Sequence, residues 1–463
     1  MALATSFSGV RGIYGRDLTE SVAVRYAHSY ISFLRNKTRK NNVAIVIGMD
    51  TRPSGARIMD MIMGIADANF IDVGILPTPA IEFAVRYFNA DGGIIITASH
   101  NEPFGNGFKL LNPDGSILNE KDMNLVIQGS KSLKDFHKIQ DRRVAEKNTE
   151  VLKGYTNFLF ETIGKENIEN IRNSRQKIII DPNGGAGAVA KKILEQAGVE
   201  VVGVNMDYGD FKRQVEPTED SVVYLKSTID DTKSDFAAAF DCDADRVEIL
   251  MQNGQFLSGN YILALAVDEV LSNSRNPKGQ IIVVNDATSN VVRDTAQKFG
   301  AKVKEVEVGE TNVVEEMKKS KSVVGGEGSS GGAIIAPSKC RDGILTLLAV
   351  LSFVARKWHK LHKIVEEFPK YYTLRKKIEF EPKKHDKIKN YLEDYYSKKG
   401  FEIGKTGGVK GGLKAIPDKK SFIWFRASKT ESNVFRIIAD SDKKEKAERL
   451  LEEAVGIFNK ANE

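Results

Sequence analysis

Short apolar runs, each followed by a polar turn and an amphipathic helical stretch, set the pattern of this chain. Val43 to Gly48 has the character of a buried strand. The turn Met49-Asp-Thr-Arg-Pro-Ser-Gly55 follows, then a helical pattern to about Ala68 and a second run from Phe70 to Gly74. Lys177 to Ile180 begins the same order again, with Asp181-Pro-Asn-Gly-Gly-Ala-Gly187, a helix to Ala197, Gly198 and the run Val199 to Val204. Gln280 to Val284 begins it a third time, with Asn285-Asp-Ala-Thr-Ser289, a helix to Phe299, Gly300 and Lys302 to Val306. The loops before the helices offer capping hydroxyls and carboxylates, and glycine after a helix suits a left-handed cap. Three strand–helix–strand units at intervals of roughly a hundred residues predict three homologous α/β domains and not one large sheet.

Between these units the alternation predicts hairpins. One joins Phe108–Leu111 to Ser116–Leu118 through Asn112-Pro-Asp-Gly115, and another joins Val247–Met251 to Gln255–Leu257 through Asn253-Gly254. Lys121 to about Glu161 is charged and helical in pattern, with a first domain boundary near Asn148. Arg341 to Lys360 is a long apolar helix opened by Asp342. Past about Phe368 the repeat is lost. Strands at Tyr371–Phe380, Phe401–Ile403, Gly411–Ile416, Ser421–Phe425 and Val434–Ala439, with helices at Lys384–Lys399 and Lys443–Asn462, predict a C-terminal α+β domain. The expected domains are 1–148, 149–248, 249–366 and 367–463.

Composition narrows the classes without choosing among them. With 463 residues, 41% hydrophobic and 28% charged, the chain is of ordinary globular type. A formal charge of +6, from 68 basic against 62 acidic residues, is too balanced to predict a nucleic-acid partner. No apolar run reaches a membrane span, and no basic segment precedes an apolar one after Met1, so neither membrane insertion nor secretion is expected. Cys242 and Cys340, the only cysteines, form no disulfide framework, which makes the cytoplasm the expected compartment.

Four stretches carry candidate chemistry. The apolar run Gly93 to Ile96 stops at Thr97-Ala-Ser-His-Asn101, and Pro103 blocks a regular continuation. A serine at the exposed carboxyl end of a buried strand is where open α/β sheets do chemistry, which makes Ser99 a candidate nucleophile; a plain polar turn is the competing reading. Asp241-Cys-Asp-Ala-Asp-Arg246 follows the run Phe236 to Phe240, and its alternate carboxylates can converge on one hard cation. It is no EF-hand, because Arg246 and Gln252 stand where that loop needs Gly and Glu, and Asp245 fits the aspartyl-phosphatase pattern poorly. Gly325-Gly-Glu-Gly-Ser-Ser-Gly-Gly332 sets Glu327 alone among small residues, where backbone and one carboxylate can approach a polyhydroxylated ligand. Arg426-Ala-Ser-Lys-Thr-Glu-Ser-Asn-Val-Phe-Arg436 offers guanidinium, hydroxyls and backbone N–H groups to a phosphate dianion. Gly400-Phe-Glu-Ile-Gly-Lys-Thr406 has three residues between its glycines instead of four and is rejected as a P-loop.

These stretches, in this order, resemble the α-D-phosphohexomutase superfamily, which includes phosphoglucomutase, phosphomannomutase and phosphoglucosamine mutase. The resemblance runs from Phe7-Ser-Gly-Val-Arg-Gly12 to Arg436. The family's Thr-Ala-Ser-His-Asn-Pro is matched by Thr97 to Asn101 with Glu102 inserted before Pro103, and its Gly-x-Lys by Gly107 to Lys109. Its Asp-Gly-Asp-x-Asp-Arg is matched at 241–246 with Cys242 for Gly, and its Gly-Glu-x-Ser at Gly326, Glu327 and Ser329. Its Arg-x-Ser-Gly-Thr-Glu-Pro is matched by Arg426, Ser428, Thr430 and Glu431, with Lys429 for Gly and Ser432 for Pro. Ser330 and Gly331 stand where the family often has Gly and His.

The resemblance implies four domains around a central cleft, three mixed α/β and one α+β. It implies a phosphohexomutase that interconverts hexose 1- and 6-phosphates, with Ser99 as phosphoserine and hexose 1,6-bisphosphate as intermediate and activator. One Mg²⁺ per chain is expected on Ser99, Asp241, Asp243 and Asp245. Arg11, His100 and Lys109 match positions close to the phosphoserine; Lys109 is favoured as general acid or base, with a pKa altered by surrounding cations. Arg246, Glu327 and Ser329 would hold the sugar phosphate, and Arg426, Ser428 and Thr430 the phosphate not reacting. The expected partners are small hexose phosphates, with no nucleic acid and no membrane, in a monomer or homodimer. The rival readings are a magnesium-dependent sugar phosphatase with Asp241 as nucleophile and a non-catalytic sugar-phosphate sensor.

Overall fold

The computed structural model describes residues 3–6, 9–65, 67–132, 143–408, 410–428 and 433–463. The chain forms two compact units, residues 1–258 with 330–362, and residues 259–329 with 363–463. Four sheets organise them.

In the first unit, a seven-stranded sheet runs in the order Ala4–Ser6, Gly9–Ile13, Gly105–Leu111, Gly92–Ile96, Ala44–Met49, Asn69–Ile75, Val144–Glu146. Ala44–Met49 is parallel to both Asn69–Ile75 and Gly92–Ile96, as the strand–helix–strand reading requires. Gly105–Leu111 then lies antiparallel to Gly92–Ile96, with Lys109 opposite Ile95, and Gly9–Ile13 lies antiparallel to it, with Arg11 opposite Gly107. Side chains alternate along a strand, so Arg11 and Lys109 share one face of the sheet. Gly107 makes room for this: a Cβ there would stand 2.1 Å from Val10 O. The core beneath is filled by Tyr30, Leu34, Ile45, Ile47, Ile94, Ile96 and Phe108.

A five-stranded sheet follows, ordered Phe256–Leu257, Val247–Met251, Phe236–Phe240, Lys177–Asp181, Glu200–Gly203. Phe236–Phe240 is parallel to Lys177–Asp181 and forms a hairpin with Val247–Met251, in which Phe240 opposes Val247. The acidic stretch 241–246 is the connection of that hairpin. In the second unit, Ile281–Asn285 is parallel to both Lys302–Val306 and Val324–Gly326. The last sheet is antiparallel throughout, in the order Tyr372–Glu379, Val434–Ser441, Ser421–Ala427, Leu413–Asp418, Glu402–Lys405. Among the described residues no helix is long and apolar enough to cross a membrane, and both cysteines are free and buried.

Two local expectations differ from the structure. The stretch read as helical from Lys121 to Glu161 holds helices at Glu120–Ser132 and Asn148–Ile163, but between them Val144–Glu146 pairs with Asn69–Ile75 as an edge strand. All three of its residues are exposed, so no apolar alternation marks it. The expected strand Ser116–Leu118 is reduced to a single bridge between Ile117 and Leu111, flanked by the backbone bonds Asn112 N–H to Ser116 O at 2.7 Å and Leu118 N–H to Leu110 O at 2.9 Å.

The long apolar helix is Gly343–Lys357, with Asp342 at its N-cap; Leu345 N–H donates to Asp342 Oδ1 at 2.9 Å. Asp342 is fully buried and Tyr155 Oη stands 2.9 and 2.8 Å from its two oxygens. Burial pushes this carboxyl up to about 6, against the opposing pull of Leu345 N–H and Tyr155. The folded chain therefore holds the proton more tightly than the unfolded chain, and stability falls as pH rises from about 4 to about 6. The ionised group costs on the order of 3 kcal/mol above that window. Asparagine keeps both the cap and an acceptor for Tyr155. Asp342→Asn should accordingly stabilise the fold more at pH 7.5 than at pH 4.5, read as the difference in urea midpoint from the parent chain; an equal difference at both pH values would contradict the buried-carboxyl account.

Candidate active site

Ser99 follows Gly92–Ile96, whose five residues are all buried, after Thr97 and Ala98. It lies in the left-handed region at φ 52, which a non-glycine residue adopts only when its surroundings hold it there. The holding groups trace to Asp50. Its Oδ2 accepts from Thr97 Oγ1 at 2.7 Å, and Thr97 Oγ1 in turn accepts from Ser99 N–H at 2.8 Å. Ser99 is buried and not exposed as the strand-end position implied: it is 1% accessible, with its hydroxyl donating to Asp241 Oδ2 at 3.3 Å. His100 Nδ1 lies 3.5 Å from the same hydroxyl.

Asp241, Asp243 and Asp245 are all buried, and one oxygen from each lies within 4.8 Å of the others. Three like charges so close require compensation. Lys109 Nζ donates to Asp243 Oδ2 at 2.9 Å and Asp245 Oδ2 at 3.2 Å. Arg341 Nη2 donates to Asp245 Oδ2 at 3.2 Å, while Arg246 Nε lies 3.8 and 3.7 Å from Asp241 and Asp245. Thr78, the first residue of the helix Thr78–Tyr87, gives its hydroxyl to Asp243 Oδ2 at 2.6 Å and its N–H to Asp243 O at 2.9 Å. The helix Gly343–Lys357 also begins on this loop, with Gly343 N–H donating to Ala244 O at 3.2 Å. A Cβ on Gly343 would stand 2.9 Å from the carbonyl oxygens of Ala244 and Arg246, so glycine permits this approach. Two helix N-termini, with their partial positive charge, thus face the acidic loop.

The titrations follow from this arrangement. Burial pushes the Asp241 carboxyl up, reinforced by Asp245 and Asp243. Burial acts the same way on Asp245, but Arg341, Lys109 and Arg246 override it and hold that carboxyl below the usual range. His100 is held far below its ordinary value, first by the charge of Arg246, then by burial and by Arg11, and is a neutral imidazole at physiological pH. Lys109 Nζ reaches Asp243 and Asp245 because the acidic loop closes against the face of the sheet that carries Lys109.

The acidic triad fits a hard divalent cation. Asp243 Oδ1 and Asp245 Oδ1 are buried and have no hydrogen-bond partner, and the donor set is all oxygen.

In the second unit, Glu327 Oε1 accepts from Asn285 Nδ2 and Gly309 N–H, both at 2.9 Å. Ser329 is exposed, and its carbonyl accepts from Arg375 Nη1 at 3.1 Å. Arg426 Nη2 pairs with Glu307 Oε1 at 2.7 Å, while its buried Nε has no hydrogen-bond partner and is a donor available to an anion. Ser428 N–H donates to Val434 O at 2.8 Å. Glu307 and Gly309 belong to one short connection after Lys302–Val306, so that connection touches both the sugar loop and Arg426. Thr430 and the neighbouring Lys429, Glu431 and Ser432 lie outside the described residues, as do Phe7 and Ser8. Of the two departures in the sugar loop, Ser330 Oγ accepts from Arg341 Nη1 at 3.4 Å and Gly331 N–H donates to Glu248 Oε1 at 2.6 Å.

Sequence reasoning missed Asp50, Arg52, Thr78 and Arg341. Asp50 and Arg52 sit in the first polar turn, whose position after a buried strand is the signal that could have raised them.

A buried serine lies beside three convergent aspartates, ringed by lysine and arginine on two α/β sheets, an arrangement suited to phosphoryl transfer. Sequence profiles described as "Phosphoglucomutase/phosphomannomutase, alpha/beta/alpha domain I", domain II and domain III match residues 4–135, 153–254 and 258–372. A phosphoglucomutase/phosphomannomutase of Thermococcus kodakarensis is 33% identical over 462 residues, covering 98% of each chain. A probable phosphoglucosamine mutase of Pyrococcus abyssi is 30% identical over 461 residues, covering 96% of each. A putative phosphomannomutase structure from Thermus thermophilus superposes with a TM-score of 0.81 at 22% identity, covering 99% of each chain. An Aspergillus fumigatus N-acetylphosphoglucosamine mutase, solved with GlcNAc-6P and magnesium, gives 0.61 at 14% identity over 100% of this chain and 96% of the other. The chain belongs to the phosphoglucomutase/phosphomannomutase family of the α-D-phosphohexomutase superfamily, whose members are phosphomutases.

Replacing one charged oxygen ligand with a neutral one should expose the cation site directly. Asp243→Asn is expected to weaken Mg²⁺ binding by on the order of tenfold or more, measured by titration calorimetry. Unchanged affinity would place the cation elsewhere.

Proposed function

We propose that this chain interconverts hexose 1-phosphates and hexose 6-phosphates, carrying the phosphoryl group on Ser99. The observation that supports it most is the contact of the buried Ser99 hydroxyl with Asp241, within a triad whose remaining oxygens suit a hard cation. In the first half-reaction the Ser99 Oγ–P bond breaks, a P–O bond to a sugar hydroxyl forms, the hydroxyl proton leaves to a base and Ser99 Oγ regains one from an acid. The hexose 1,6-bisphosphate then turns end for end, and its other phosphoryl group passes back to Ser99 by the same exchange reversed. Added hexose 1,6-bisphosphate would act as activator by recharging an empty serine.

Asp241, Asp243 and Asp245 would hold one Mg²⁺ per chain together with the Ser99 phosphate, and the ion would neutralise charge on the moving group. The chain's own residues do the rest by positioning and electrostatics. Arg246, Arg341 and Arg11 set positive charge around the reacting oxygen. Lys109 is the favoured acid–base residue among Lys109, His100 and Arg11, its Nζ already standing in hydrogen-bond contact with Asp243 and Asp245. Glu327 and Ser329 would hold sugar hydroxyls, and Arg426, Ser428 and Thr430 the phosphate not reacting. Domain boundaries near 148, 248 and 366, a cytoplasmic location, and small hexose phosphates as partners, with neither nucleic acid nor membrane, belong to the same reading. The match to a probable phosphoglucosamine mutase favours glucosamine phosphate as the second reading.

Intact-mass measurement should find a fraction of the protein carrying one phosphate, mapped to Ser99, and Ser99→Ala should lose the phosphate and nearly all turnover. Phosphate on Asp241, removable by hydroxylamine, would support the phosphatase instead.

Specificity follows from Glu327. Glucose and mannose differ at the second position, whereas the matching family loop contacts the third and fourth, which they share. A site reading shared positions discriminates weakly at the unshared one. Glucose and mannose 1-phosphates should therefore be turned over within about tenfold in kcat/KM, about 1.4 kcal/mol in transition-state binding. Glu327→Gln should lower both rates together; loss on one sugar alone would mean that Glu327 reads the second position.

A further inference from the structure

Arg52 lies in the first polar turn, and its guanidinium is fully buried. A guanidinium has five N–H donors in a rigid fork, and here all five are used. Nε donates to Asp50 Oδ2 at 3.0 Å. Nη1 donates to the carbonyls of Glu102 and Gly105 at 2.7 and 2.8 Å, and Nη2 to those of Ser99 and Asn101, both at 2.6 Å. Four carbonyls of the segment 99–105 thus converge on one planar cation. The two peptide groups that flank Ser99 are held from one carboxylate: its N–H through Thr97 and Asp50, its C=O through Arg52 and Asp50. A left-handed serine has no intrinsic reason to stay at φ 52, and this double anchorage supplies one.

We propose that Arg52 is a positioning residue for phosphoryl transfer: by binding the Ser99 carbonyl it fixes the direction in which Ser99 Oγ meets the acidic triad. It touches neither the Ser99 hydroxyl nor the three aspartates through any hydrogen bond found, so its effect passes through the backbone. In-line transfer depends on such placement, and a displacement of about 1 Å can cost about a hundredfold in rate. Lysine cannot reproduce the fork, because its compact ammonium carries three donors from one point. The proposal rests on the reading of Ser99 as the phosphate carrier.

The test compares the full-length parent with Arg52→Lys and Arg52→Gly in Mg²⁺ and glucose 1,6-bisphosphate, with glucose 1-phosphate as substrate. Arg52→Lys should lose about a hundredfold in kcat while KM and Mg²⁺ affinity stay within about threefold, as expected for a loss confined to the transition state. Arg52→Gly leaves a cavity shaped for the missing group. Low millimolar guanidinium chloride should raise its kcat while leaving the parent unchanged or slower, whereas a variant that is merely unstable would gain nothing, because so little denaturant leaves stability almost untouched. A kcat for Arg52→Lys within threefold of the parent would overturn the proposal. So would a folded, Mg²⁺-binding Arg52→Gly that guanidinium does not accelerate; should the glycine variant fail to fold, the lysine variant decides alone. A parent chain that converts no hexose 1-phosphate overturns the functional reading instead, which keeps the two failures apart.

Discussion

Three carboxylates buried within five residues of one hairpin connection are the constraint on which the first unit depends. Moving charge out of water is unfavourable, and placing like charges together adds to the cost, so such a loop survives only where its surroundings repay both. Several of the elements that meet it bring positive potential. The neighbouring sheet supplies Lys109 and Arg11 on one face, the loop supplies its own Arg246, and the start of the long apolar helix supplies Arg341. The helices beginning at Thr78 and Gly343 add their N-terminal N–H groups. Lys109 donates to both Asp243 and Asp245, and Arg341 donates to Asp245, so this compensation is concentrated on that side of the triad. The Asp241 side, which the cations serve least, is the side that meets Ser99.

The same loop explains a departure from the family pattern. Cys242 stands where relatives of this type have glycine, yet its backbone does ordinary work: Ala186 N–H donates to its carbonyl at 2.8 Å. Its side chain is buried with Sγ 3.6 Å from Thr51 Oγ1, between the two residues that build the Asp50–Arg52 anchor. The extra thiol therefore packs the acidic loop against the turn that holds the serine segment. Burial pushes this thiol's pKa far up, so it behaves as a small apolar group and not as a nucleophile.

What the sequence revealed and what it hid divide along one physical line. Ser99 and the aspartates were legible because each chemistry is written in consecutive residues after a buried strand, where local spacing already puts donor atoms together. The three strand–helix–strand units were legible for the same reason, since period and turn chemistry are local. Asp50, Arg52, Thr78 and Arg341 were not, because what brings them to the site is a partner far along the chain: Arg52 meets the 99–105 segment, Thr78 meets Asp243 and Arg341 meets Asp245. The partners of Lys109 were hidden on the same ground; its motif is local, but the carboxylates it meets lie more than 130 residues further on. Val144–Glu146 escaped because an exposed edge strand carries no hydrophobic signature at all.

In the second unit the polar groups are held before any ligand is considered. Asn285 and Gly309 fix one oxygen of Glu327, and Glu307 fixes one arm of Arg426. Ordering long side chains is a substantial part of what association costs, and these contacts have met that cost within the fold. They also limit what the groups can do. On the proposed reading, a carboxylate held in this way reads a narrow arc of a sugar ring, which suits recognition of positions common to several hexoses. An arginine paired with glutamate is electrically neutral as a pair, so a neutral hydroxyl gains little there. A phosphate dianion brings two charges and three acceptor oxygens to the remaining Arg426 donors, including the unpartnered Nε. On the proposed reading, these contacts suit this half of the chain to detecting phosphate more than to telling one sugar from another.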